Sequence, residues 1–449
     1  MKPNVLFLVL DALPAKRCFE NSSKIKIPNI RNLMKKGVSF KQTISSADET
    51  MVSFASMFTG KFPFNAGVRP SLWTYRYKSN LENYIDNFKK NGYKTYATLP
   101  KLTALKEIFS DFEIEYYLPH NDRLFNGLGE KILKKLNQKD MHEPWFYLIH
   151  LLDSHKPIYY PDSFDSDKFG IDEYERMLSF VDSWIGKFLE KIDLKNTLVI
   201  ITSDHGDYVR TITDKEKVIS FEYRTFANPT QKIRTILPKI FHPFMIKSIL
   251  SMRSLITKIK LRKLGRKLTP YETRSLTGAR SYADHFLFDE LIHVPLIMAG
   301  AGIEKVLKVE NMVGLVDLFP TICDILKIKK ITGLQDGISF APLLEGKNIQ
   351  ERPIYSETSL NLKNKNEGGY GVRTQKYKYF RTNSDKNKQI HLYDLEKDPL
   401  EEENLAISNP DLIKHMEDLL HKLKLSQQDA EKDFIRKQIL KKRNRLVHD

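Results

Sequence analysis

The sequence predicts an α/β protein: a mostly parallel central sheet with helices on both faces, followed by a small C-terminal α+β subdomain. Three observations predict it. Continuous apolar runs, typical of parallel strands buried on both faces, recur at Val5 to Val9, Trp145 to Leu151, Leu198 to Thr202 and Val294 to Ala299. Helical patterns alternate with them, as covering both faces of such a sheet requires. At 449 residues, with 41% hydrophobic and 11% aromatic residues, the chain is long and apolar enough for one large packed domain and an appendage.

Taken in order, the run Val5 to Val9 opens the sheet and leads to Asp11. Ile27 to Lys36, entered through Pro28-Asn29 and stopped by Gly37, reads as a helix. The stretch ADETMVSFASMFTGKFPFNAGV then gives an irregular lead-in and a helix from about Val52 to Phe58, ended by Thr59-Gly60. Leu81 to Asn91 is a further helix and Lys94 to Thr98 a short strand, followed by the strand Trp145 to Leu151 and the long amphipathic helix Tyr174 to Lys191. Leu198 to Thr202 and Val294 to Ala299 complete the buried strands.

Between Asp207 and Arg280 the alternation breaks, so an insertion is placed at about 208–280. Residues 241–267 hold eight Lys and Arg and no Asp or Glu, and Met245, Ile249, Met252, Ile256 and Ile259 recur at helical spacing. This reads as a basic amphipathic helix, suited either to an anionic membrane surface or to packing with its charges in water. From about Glu357 the strands Gly371 to Arg381 and Gln389 to Tyr393 and a helix Pro410 to Leu425 form the appendage. The expected division is a catalytic α/β domain over 1–355, the subdomain over 356–426 and a charged tail over 427–449.

A formal charge of +16 points to an anionic partner. Nucleic acid is disfavoured, because the basic segment lacks aromatics placed to stack on bases. Cys18 and Cys323 fit no metal or redox spacing, so reduced thiols and a cytoplasmic location are expected, with a peripheral contact at the inner membrane face as the alternative. The N-terminal apolar run is too short for a signal peptide, and no stretch approaches the roughly 20 apolar residues of a membrane span.

Ligands of parallel sheets gather beyond the carboxyl ends of the strands. Three such ends carry chemistry here: Asp11, then Asp153 and His155, then Asp204-His205-Gly206. Thr50 stands at the mouth of a helix, where free N–H groups favour anions, and it reads either as a nucleophile or as a capping hydroxyl.

These pieces resemble the sulfatase family of the alkaline phosphatase superfamily. The resemblance rests on PNVLFLVLDAL, TMVSFASMFTGKFP, HLLDSHKPIYYP, VIITSDHGD, LFDELIHVPLIMAG, GLVDLFPTICDIL, DGISFAPLLEGK and GVRTQKYKYFR with HLYDLEKDPLEEENLA, in the family's order. It implies that Asp11, Asp204 and His205, together with Thr50, bind one divalent metal, that Thr50 is the nucleophile and that His155 faces the leaving group or the anionic oxygens, the alternative for His155 being an imidazole paired with Asp153 in the loop. Lys61 and His285 lie near positions where the family presents basic groups to substrate; for both, a structural role is the alternative. Mn or Zn is the expected metal, with Ca or Mg as alternatives.

Two departures bear on the chemistry. Sulfatases carry Cys or Ser at position 50, followed by Pro and Arg, and convert it to formylglycine, whereas here Thr50-Met51-Val52-Ser53-Phe54 offers no such substrate. Ala12 replaces another metal-binding aspartate. The expectation is therefore a metal-dependent hydrolase or transferase acting on a phosphoester, chiefly a phosphodiester, through threonine. The alternatives are a sulfatase working without formylglycine and an inactive protein that binds anionic lipids or glycans. The substrate is anionic and could be lipid- or glycan-linked.

Overall fold

The computed structural model describes residues 2–19, 24–66, 69–70, 75–76, 83–101, 112–118, 122–137, 141–156, 158–214, 217–221, 255, 259, 261–262, 264–277, 286–329, 335–358, 368–382 and 388–424. Their centre is an eight-stranded sheet. In chain order its strands are β1 (Asn4–Leu10), β2 (Gly37–Ile44), β3 (Lys94–Pro100), β4 (Glu113–Tyr117), β5 (Trp145–Leu151), β6 (Thr197–Thr202), β7 (His293–Gly300) and β8 (Leu307–Gly314). Across the sheet they run β8-β2-β7-β6-β1-β5-β3-β4. Every pairing is parallel except those of β7, which runs antiparallel to both β2 and β6. The mostly parallel sheet expected from the apolar runs is thus present, with one reversed strand that a continuous apolar run cannot reveal.

Both faces are covered. The helices are α1 (Pro28–Met34), α2 (Thr50–Thr59), α3 (Tyr84–Lys90), α4 (Leu128–Asn137), α5 (Glu173–Leu189) and α6 (Leu318–Ile325). Side chains alternate along β1, so Val5, Phe7 and Val9 pack with α2, α3 and α6 while Leu6, Leu8 and Leu10 pack with α1, α4 and α5. Asp182 of α5 accepts from the N–H groups of Asn29 and Ile30, satisfying donors that the start of α1 leaves free. Cys18 and Cys323 are buried and are not joined in a disulfide.

A second sheet of four antiparallel strands follows: β9 (Ile354–Glu357), β10 (Gly369–Arg373), β11 (Tyr377–Thr382) and β12 (Ile390–Asp394). The segment expected as one strand from Gly371 to Arg381 is two, because the chain turns at Thr374, whose N–H and hydroxyl both donate to the Tyr377 carbonyl. The boundary expected after residue 355 falls inside β9. A helix over 410–424 packs on this sheet through Met416 and Leu420. Arg373 and Lys378 of this sheet are buried and both pair with Asp289, at 3.0 and 2.6 Å.

Most of the basic segment over 241–267 lies outside the described residues, including Met245, Ile249, Met252 and Ile256. At its described end Leu264 is buried with Ile212, Phe221 and Leu276. No helix among the described residues is long and apolar enough to cross a membrane.

Candidate active site

Register brings the strand ends together. Leu10 pairs with Leu151 of β5, and Val9 with Thr202 of β6, so the residues that follow each strand emerge on the same edge of the sheet. Asp11, Asp204 and His205 are all buried there, with ligand atoms within 4.8 Å of one another. The connection after β6 presses against β7's approach: a Cβ on Gly206 would lie 2.0 Å from the Glu290 carbonyl oxygen, so only glycine fits.

Hydroxyls fix this loop. Ser203 Oγ accepts from Leu13 N–H at 2.9 Å and donates to the His205 carbonyl at 2.5 Å. Ser45 Oγ and Ser53 Oγ each lie 2.6 Å from the Asp204 carbonyl oxygen. Ser53, which shares a helix face with Thr50 in the sequence, therefore serves the backbone of the Asp204 loop.

Thr50 is the first residue of α2 and not its cap. Glu49 occupies the capping position in an extended conformation. The Thr50 hydroxyl points elsewhere: Oγ1 lies 3.2 Å from Asp11 Oδ2 and 3.2 Å from His205 Nε2. His205 Nδ1 sits 2.8 Å from the Gly206 carbonyl, which can only accept, so Nδ1 carries the proton and Nε2 offers a lone pair toward Thr50 and Asp204. The capping alternative for Thr50 is thus replaced by a hydroxyl held within the acidic cluster.

Two buried oxygens, Asp11 Oδ1 and Asp204 Oδ2, have no hydrogen-bond partner among the described residues. Such oxygens are costly unless something positive meets them. His205 Nε2 lies 4.0 Å from the first and 3.5 Å from the second. Two partnerless carboxylate oxygens facing an imidazole lone pair fit a divalent cation, and Thr50 Oγ1 stands beside them. Burial works against the charged form of Asp11, and the hydrogen bond from His150 works for it.

The remaining expected residues are spread. His155 is exposed in the loop after β5, with Nδ1 2.7 Å from the Lys156 carbonyl. It is close enough to act on Asp11 electrostatically, and among the described residues Asp153 is met by Arg123 and backbone donors rather than by His155. Asp153 instead accepts from Leu124 N–H at 3.2 Å, and burial, only partly countered by Arg123 and backbone donors, pushes its carboxyl up to about 6. Lys61 follows Gly60, the left-handed cap at the far end of α2, and its charge acts on Asp336. Ten residues of helix at about 1.5 Å per residue keep it from Thr50. His285 lies outside the described residues.

His150 was not among the expected residues. It lies within β5, fully buried, with Nε2 3.1 Å from Asp11 Oδ2. The signal was present as an imidazole inside an otherwise apolar strand, a place where a polar ring needs a partner.

Known proteins resemble this chain in sequence and in fold. A family model described as Sulfatase matches residues 3–328, and one described as N-sulphoglucosamine sulphohydrolase, C-terminal, matches 278–429. Arylsulfatase K of Mus musculus is 22% identical over 94% of this chain and 79% of its own length; the Gallus gallus protein is 31% identical over 32% of this chain and 28% of its own. A delta 4,5-hexuronate-2-O-sulfatase of Bacteroides thetaiotaomicron is 36% identical over 29% of this chain and 28% of its own length. Among solved structures, the phosphonate monoester hydrolase of Agrobacterium radiobacter superposes with a TM-score of 0.66 at 15% identity, covering 95% of this chain and 96% of that one.

Proposed function

The chain belongs to the sulfatase family, and from that premise we propose that it hydrolyses a sulfate ester on an anionic glycan, with the unmodified Thr50 hydroxyl as the attacking group. The observation that carries this reading is the position of Thr50 Oγ1, 3.2 Å from both Asp11 Oδ2 and His205 Nε2, at the first residue of α2. The first-turn N–H groups of that helix have no intrahelical acceptors, so they are free to meet the ester's anionic oxygens.

Asp11, Asp204 and His205 would hold a divalent cation, with Thr50 beside them. Their mixed carboxylate and imidazole donors suit Mn or Zn better than Ca, which favours about six to eight oxygens. Bound there, the cation would lower the hydroxyl's pKa and offset charge on the ester. The Thr50 proton passes to Asp11 Oδ2 as Oγ1 bonds to sulfur and the ester S–O bond breaks. His155 supplies a proton to the departing alkoxide. Water then attacks sulfur and gives one proton to His155, while the proton on Asp11 returns to Thr50 Oγ1 as its bond to sulfur breaks and hydrogen sulfate leaves.

Support for sulfate and for a glycan comes from the names of the relatives, an arylsulfatase and a hexuronate sulfatase. A second reading, a phosphodiester cleaved through phosphothreonine, is favoured by one observation: position 50 is a threonine that cannot mature to formylglycine. The test is a comparison of kcat/KM for sulfated disaccharides, aryl sulfates and phosphodiesters with the metal-loaded protein. Preference for the sulfate esters is expected. Preference for a phosphodiester would overturn the sulfate assignment and favour the second reading.

A further inference from the structure

The two oxygens of Asp11 are not equivalent. Oδ2 lies 3.2 Å from Thr50 Oγ1 and 3.1 Å from His150 Nε2, whereas Oδ1 has no hydrogen-bond partner among the described residues and faces His205 Nε2 at 4.0 Å. His150 is what separates their roles. It pairs across the sheet with Val9, two residues before Asp11, and its ring packs on Phe54 of α2 with centroids 4.8 Å apart. Phe146 and Leu148, on the same side of β5, are ordinary core residues. A carboxylate oxygen can only accept, so His150 Nε2 carries the proton and donates it, while Nδ1 has no partner among the described residues. An apolar side chain would fill this buried site without the cost of desolvating a ring nitrogen, so the imidazole stands there for what it does to Asp11.

We propose that His150 is a positioning residue for the nucleophile. By holding Oδ2 it turns Oδ1 toward the cation and keeps Oδ2 where the Thr50 proton must go. A carboxylate without this donor is free to rotate about its terminal torsion and offer either oxygen to either task. Displacements of about 1 Å in such a group cost on the order of 10²-fold in rate. The inference rests on the reading of Thr50 as nucleophile.

The test uses His150→Phe and His150→Gln in the full-length, metal-loaded protein, each with and without Thr50→Ala. In His150→Phe, kcat on a turned-over ester should fall on the order of 10²-fold with KM nearly unchanged, and the protein should keep its full complement of Co(II) with a shifted absorption spectrum. His150→Gln should regain part of kcat, since its amide N–H can donate to the same oxygen. In the Thr50→Ala background neither change should lower activity further, because His150 acts through the Thr50 and Asp11 pair. Should His150→Phe fail to fold, His150→Gln carries the test, with an intermediate kcat and retained Co(II) as its expected result. Unchanged kcat in the folded variants, or Co(II) lost from His150→Gln in step with activity, overturns the proposal. Should Thr50→Ala alone keep activity, the nucleophile reading falls and takes this inference with it; failure of the His150 variants alone overturns the inference only.

Discussion

Ser53 Oγ donates to the carbonyl oxygen of Asp204 at 2.6 Å, so the first turn of the helix that begins with Thr50 is fastened to the loop that carries two of the acidic cluster's members. That hydrogen bond joins the helix carrying Thr50 to the loop carrying Asp204 and His205. Ser53→Ala should therefore cost about 1 kcal/mol of stability and lower metal affinity on the order of tenfold or more. Chemical denaturation and chelator competition on the same preparation check both effects.

Asp204 contributes one of the two partnerless oxygens, and its replacement removes charge while preserving shape. Asp204→Asn should lose bound metal and activity together and keep its fold, because a buried carboxylate that faces a cation stabilises the bound state far more than the empty one. Elemental analysis beside circular dichroism decides it; full metal content in the variant would remove Asp204 from the ligand set.

Thr50 follows the cap, so its loss should leave the helix intact. Thr50→Ala should melt within about 1 kcal/mol of the parent and retain metal while turnover falls by several orders of magnitude. Thr50→Ser should keep part of the turnover, since the attacking oxygen remains. Acid-quenched turnover of the parent should leave a covalent ester on the peptide containing Thr50, seen by mass spectrometry. Near-normal activity in Thr50→Ala would refute the mechanism.

Asp153 makes stability depend on pH in an unusual direction for a carboxylate. Its folded pKa, pushed up by burial to about 6, exceeds the ordinary value of 3.8. The native state therefore holds a proton that the unfolded chain releases, and this contribution, fully present below pH 3.8, is lost as pH rises through about 6. Asp153→Asn keeps an acceptor for Leu124 N–H and should flatten that part of the profile, with a relative gain on the order of 2 kcal/mol above pH 7. Urea denaturation of both proteins at pH 5 and pH 8 measures it.

Where the sequence was legible, the reason is physical. β1, β5 and β6 are buried on both faces and so read as continuous apolar runs, and their shared edge follows from parallel register. β2 escaped notice because Ser39, Lys41, Gln42 and Thr43 interrupt its apolar residues, and β4 because an edge strand reading EIEYY alternates charge with apolar residues. Asp11, Asp204 and His205 were legible because several strand ends of one parallel sheet carry such groups together, on the edge where ligands gather. His150 was not, because a single imidazole inside a strand gives no spacing to read, and its partner lies 139 residues away in the chain.

The Ala47 to Glu357 bridge, with Ser356 Oγ donating to the Ser45 carbonyl at 2.7 Å and Glu357 N–H to the Ser46 carbonyl at 3.0 Å, sets an order of events during synthesis. A ribosome delivers the N-terminal strands first, and domains begin to fold as they emerge. The segment that leads into Thr50 nevertheless lacks its neighbour until β9 has left the exit tunnel, so a nascent chain can hold most of its central sheet before the Thr50 hydroxyl is fully braced.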